Sequence, residues 1–223
     1  MYRRVFVRSC VVLLIIFANL LLPSLAHAAF VPGGHIKDWG VTYRLHTPSL
    51  NASQRAMIDL MADKWNVASR MSLTRGTDTT SGSPFGSTSM RLLWEVDLPP
   101  TGFFGACTET SLACTATDPA PEYAYHFLDI DTALNADMDW IAFSNSQDCL
   151  NGIKPDGSRT DSNDRDQRSV SLHEFGHWQY LSDDEPTGAY TMAGYSSHKC
   201  KWTIDSISAG AVDDLYADHP AGQ

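Results

Sequence analysis

Two histidines four residues apart, with a glutamate after the first, constrain this chain more than anything else in it: His173-Glu174-Phe175-Gly176-His177. If residues 170–179 form a helix, both imidazoles project from one face, one turn apart, and aim at one point. Two nitrogen donors so placed meet the geometry that a zinc ion requires. Glu174 stands one position further round the helix. There it reaches a water at the metal without taking a coordination position, which suits a general base.

The start of the chain reads as an export signal. Arg3, Arg4 and Arg8 make a basic beginning, residues 11–22 are apolar but too few to span a bilayer comfortably, and Ala26-His27-Ala28 is a small-x-small cleavage site. Residues 1–28 are therefore expected to be a signal peptide, and residues 29–223 a single secreted domain able to bury a substantial core. The formal net charge is −10, and removing three arginines with no acid makes the mature chain more negative still. Such a chain is a poor partner for nucleic acid and for anionic membranes, so neither is expected; a monomer is expected. Four cysteines remain after the signal: Cys107, Cys114, Cys149 and Cys200. An even count in an exported chain implies two disulfides with three possible pairings, of which Cys107–Cys114 plus Cys149–Cys200 is favoured.

Alternation in residues 39–46 (WGVTYRLH) predicts a strand. Asn51 with Gln54 predicts a helix start, and Met57, Leu60, Met61, Trp65 and Ala68 fall at helical spacing after it. Residues 74–89, rich in Gly, Ser and Thr, predict a loop; residues 89–96 a strand; residues 97–122 a disulfide-stapled loop. Residues 123–130 and 139–144 predict two further strands, and residues 208–218 a closing helix. Residues 147–165 read as a polar loop. Asp156, Asp161, Asp164 and Asp166 could make it a calcium site, although the register is not that of an EF-hand and a solvated loop is the simpler reading. Asp164 with Gln167 is a plausible cap for the histidine helix. His35, His46, His126 and His219 have no partner spacing. Asn51-Ala52-Ser53 fits a glycosylation sequon that overlaps the helix cap.

Two histidines do not close a hydrolytic zinc site, which usually has three protein ligands and one position for water. Asp183 lies ten residues after His173, and Met192 nine beyond that. In these residues the chain resembles the metzincin metalloproteases, and within them the matrixin-like group, whose signature is His-Glu-x-x-His-x-x-Gly-x-x-His or -Asp followed by a methionine turn. The resemblance assigns His173, His177 and Asp183 to the metal, Glu174 to the base and Met192 to the turn. It is tight around the motif and loose over most of the mature chain. It implies an α+β fold: a twisted, mostly parallel sheet with a backing helix and an active-site helix, and a small C-terminal subdomain. Tyr180 stands where the family has Gly, so the third ligand lies among Asp183, Asp184, Glu185 and His198, with Asp183 expected. The fold-like sequence begins soon after the predicted cleavage site, leaving no room for an inhibitory propeptide.

The activity implied is zinc-dependent peptide hydrolysis, with Glu174 moving the proton and Tyr195 a candidate donor to the oxyanion. Substrate is expected to pair with an edge strand, with residues 123–130 the candidate. The rivals are an inactive, metal-stabilised binding module and a gluzincin-type peptidase using Glu185. A non-enzymatic adhesin or toxin component is a third, weaker rival.

Overall fold

The computed structural model describes residues 40–80, 92–96, 107–119, 127–179, 181, 183, 191–192 and 200–215. The segment expected to be a signal peptide, Tyr180, Asp184, Glu185, Tyr195 and His198 lie outside them.

The expected first strand is β1 (Gly40–Leu45). Its alternation works as predicted: Val41, Tyr43 and Leu45 are buried, while Gly40, Thr42 and Arg44 face solvent. It lies parallel between β2 (Ser72–Arg75) and β3 (Leu92–Val96). Further along, β5 (Phe127–Asn135) runs parallel to β3 and antiparallel to β4 (Ala113–Pro119). The strand order is β2-β1-β3-β5-β4, a mixed and mostly parallel sheet in an α+β molecule.

Helix α1 (Ala52–Ala68) begins with the predicted capping box. The Asn51 side chain accepts from the Gln54 amide at 3.0 Å, and the Asn51 amide donates to the Gln54 side chain at 2.7 Å. Such a cap contributes about 1 kcal/mol. The buried face is Gln54, Ile58, Met61, Ala62 and Trp65, turned from the predicted stripe, so that Leu60 is 38% exposed. The turn follows from Gln54, whose amide nitrogen donates to Glu95 Oε2 at 2.6 Å and whose carbonyl accepts from Gln167 at 3.2 Å.

Helix α2 (Ser146–Asn151) and the parallel pair β6 (Asp139–Ile141) and β7 (Asp164–Asp166) lead into α3 (Gln167–Trp178), which carries the histidine motif. Its cap is Asp166, which accepts from the Arg168 amide at 3.2 Å, and not the predicted Asp164. Asp164 is occupied elsewhere, with Lys154 Nζ at 2.7 Å and the Asp161 amide at 2.6 Å. Helices α1 and α3 pack together, and the Trp65 indole N–H donates to the Leu172 carbonyl at 2.8 Å. Phe175 and Trp178 turn the other face of α3 toward β1, with ring centroids 5.4 and 6.4 Å from Tyr43 in edge contacts. Each such fully buried side chain is worth roughly 1.5–3 kcal/mol. The last described element is α4 (Ser206–Leu215).

Three further expectations need correction. The segment 97–122 is not all loop, because β4 lies in it. Of the strand expected at 123–130, residues 127–130 open β5, which continues to Asn135, and residues 123–126 lie outside the described residues. The polar stretch 147–165 holds most of α2 and the start of β7. The favoured cysteine pairing stands: Cys107 and Cys114 have Cα atoms 5.9 Å apart, Cys149 and Cys200 5.6 Å apart, both at disulfide distance. Among the described residues no helix is long and apolar enough to cross a membrane.

Candidate metal centre

Helix α3 delivers both imidazoles to one point. The rings of His173 and His177 have centroids 4.7 Å apart and planes at 85°. Each ring is fixed from behind by a main-chain carbonyl. His173 Nδ1 lies 3.0 Å from the Thr191 oxygen, and His177 Nδ1 lies 2.7 Å from the Leu181 oxygen. A carbonyl only accepts, so Nδ1–H donates in both rings and both Nε2 atoms are left facing forward. This outer bond is the one that sets ring orientation and basicity in metal-ligating histidines.

The third predicted ligand comes back to the same point. Asp183 Oδ1 is 3.0 Å from His173 Nε2 and 3.6 Å from His177 Nε2. One donor atom from each of the three residues lies within 4.8 Å of the others. The chain reaches Asp183 by a tight reversal: the amides of Gln179 and Leu181 both donate to the Gly176 carbonyl, at 2.9 and 3.1 Å. Leu181 is then buried and its own carbonyl serves His177.

The charges are coupled. Burial alone would lower the His173 pKa, but the Asp183 hydrogen bond and the Glu174 charge outweigh it and raise it. His177 is lowered, by desolvation and then by His173. Asp183 is lowered, chiefly by its bond to His173. Two neutral-capable nitrogens and one readily ionised carboxylate, with both outer nitrogens satisfied, are a donor set that zinc accepts.

Beneath the pair, Met192 is fully buried against α3. Gly176 makes this possible, since a Cβ there would lie 2.0 Å from Met192 Sδ. The preceding residue, Thr191, donates from its amide and hydroxyl to Asp205 Oδ2 at 2.6 and 2.9 Å, and Asp205 also accepts from the start of α4 through the Ile207 and Ser208 amides. The carbonyl that orients His173 is thereby anchored to the last helix.

Glu174 is 3% exposed and stands beside the three donors without being one of them. Its Oε2 accepts from Thr115 Oγ1 at 2.6 Å. Neither Thr115 nor the Thr191 carbonyl was identifiable as a site residue from the sequence, although Thr191 adjoins the predicted methionine.

The four aspartates of the calcium expectation separate. Asp161 and Asp164 gather with Asp139, and the Lys154 ammonium lies against Asp161 and Asp164 at 3.8 and 2.7 Å. Asp156 accepts from the Ser158 amide and hydroxyl within its own turn, at 2.9 and 2.7 Å. Asp166 faces α3 and the segment after Cys200, taking the Cys200 amide at 3.1 Å and the Trp202 indole at 2.7 Å. Asn51 is spent as the cap of α1. Compared with known proteins, the chain matches no family model and no curated relative.

Proposed function

We propose that this chain is a secreted zinc endopeptidase of the metzincin type, matrixin-like, with its substrate a protein or peptide. The observation that carries the reading is the arrangement of four side chains: two Nε2 atoms and the Asp183 carboxylate converge, and Glu174 flanks them without joining. A purely structural ion has no use for that fourth residue.

In this reading His173 Nε2, His177 Nε2 and the Asp183 carboxylate hold the ion. When bound, zinc supplies the positive charge that makes a water acidic near neutral pH and polarises a carbonyl. Glu174 accepts the proton as the water oxygen bonds to the scissile carbonyl carbon. It returns the proton to the amine nitrogen as the C–N bond breaks. Phe175 and Trp178 seal the floor on the sheet side and fix the helix against it.

Residues 127–130 of the strand first expected pair with β4, and β3 pairs with β5 further along, at residues 132–135. Strand β4 ends the sheet and pairs with β5 alone among the described residues. It is also the strand that carries Thr115 to Glu174. An extended peptide adding to β4 by main-chain hydrogen bonds lies alongside the metal ligands.

The test is Glu174→Gln. The variant keeps zinc and its melting temperature but loses casein or peptide cleavage by about 10²–10⁴-fold, the contribution of a positioned acid–base group. Equal, null cleavage by both proteins across a broad peptide library, with zinc bound, would replace the enzyme by a metal-stabilised binding module.

A further inference from the structure

Behind Glu174 the structure holds three more polar side chains in line. Thr115 Oγ1 is 2.6 Å from Glu174 Oε2, Thr132 Oγ1 is 2.5 Å from Thr115 Oγ1, and Trp178 Nε1 is 2.8 Å from Thr132 Oγ1. The two threonines face each other across β4 and β5 as a direct cross-strand pair. Glu174 and Trp178 are one turn apart on α3, so the line leaves the helix, crosses two strands and returns. Thr132 and Trp178 are fully buried and Glu174 nearly so.

The direction of every proton in this line is determined. An indole N–H can only donate, so Thr132 Oγ1 accepts from Trp178. A carboxylate can only accept, so the Thr115 hydroxyl proton points at Glu174. Each hydroxyl has one proton, and therefore the Thr132 hydroxyl donates to Thr115. All three donors run one way and end on one oxygen. Aligned bonds strengthen one another where water is excluded, as it is at Thr132 and Trp178.

We infer that Thr115, backed by Thr132 and Trp178, is the positioning residue for the proton-transfer base: it clamps Glu174 by Oε2 and leaves Oε1 as the oxygen that exchanges protons with the substrate side. The inference rests on the peptidase reading for its chemistry but on side-chain geometry alone for the relay. It explains why a threonine sits in the edge strand with its hydroxyl turned toward the helix. A carboxylate free to rotate about its last torsion would present either oxygen, whereas a clamped one presents a single basic atom in one orientation, as effective proton transfer requires.

The experiment compares Thr115→Val, Thr115→Ser and Glu174→Gln in the full chain. Thr115→Val keeps the shape and the strand preference but loses the donor. Its kcat falls about 10–100-fold, the usual loss on removing an outer partner, while KM and zinc content stay. Thr115→Ser restores the hydroxyl and most of the rate. An independent readout needs no turnover. The Trp178 indole N–H resonance, in ¹⁵N-labelled protein with and without zinc, shifts in both Thr115→Val and Glu174→Gln and returns toward wild type in Thr115→Ser. A wild-type kcat in Thr115→Val, or a Trp178 resonance indifferent to Glu174→Gln, overturns the inference. A wild-type chain that cleaves no peptide while Trp178 still senses Glu174→Gln overturns the peptidase reading and leaves the relay standing.

Discussion

The two imidazoles and the acid that meet them are held by opposite means. His173 and His177 stand on one helix, are 4% and 22% exposed at the side chain, and each has its outer nitrogen tied to a carbonyl. Asp183 lies beyond the helix and its side chain is 67% exposed. Helical spacing alone therefore sets two thirds of the donor set, and the rest depends on a chain reversal that the fold must hold. The difference predicts unequal consequences for losing each part.

The largest effect is expected from His177→Ala, which removes a donor that no other described residue supplies at this point. Zinc affinity, read by competition with a chromophoric chelator, falls by more than the roughly 10–100-fold typical of losing an outer partner. Asp183→Ala weakens binding less, because water can enter at an exposed position. If the two losses are equal, the distinction between helix-borne and loop-borne donors fails. Next comes Gly176→Ala, which drives a methyl into Met192. A loss of about 1–3 kcal/mol in denaturant unfolding is expected from such overpacking. Shortening Met192 to Ala in the same protein gives part of it back, a coupling that a double-mutant cycle measures.

The smallest effect concerns Asp205, which anchors the carbonyl behind His173. Burial alone would raise its pKa, but hydrogen bonds from Ser208 and Thr191 outweigh it and hold the carboxyl below the usual range. A group depressed in the folded state stabilises fully above its unfolded value, near 3.9, and that contribution is lost as pH falls through the folded one. The melting-temperature gap between wild type and Asp205→Asn is therefore flat from pH 7 to about 4 and narrows below. Its size is roughly 2–4 °C, the shift that about 1 kcal/mol produces in a domain of this length. A gap that persists unchanged to pH 3 would mean the anchor is not ionic.

The same contrast governs what could be read in advance. The His173–His177 spacing, the Asn51 cap and the β1 alternation are local, and local patterns survive into the fold. Strand β4 did not announce itself: Ala113, Cys114, Thr115 and Ala116 give no apolar alternation, and the prolines and glycines before them signal a turn. Its strand character comes from pairing with β5, a neighbour distant in sequence. The face of α1 was displaced for a similar reason, since Gln54 is buried by partners on β3 and α3. Between Asp164 and Asp166, both acceptable caps, the choice was made by Lys154. The relay behind Glu174 was invisible because a threonine in a strand is ordinary until the residue opposite it is known.

The Cys149–Cys200 bond spans 51 positions, and His173, Glu174, His177, Asp183 and Met192 all lie between its ends. The whole centre thus sits inside a covalent ring. On the peptidase reading the molecule meets copies of itself as substrates, and a single nick anywhere in that ring would part no fragment from the rest. On a gel without reductant the nicked molecule would run as one band, and only a thiol would reveal the two pieces.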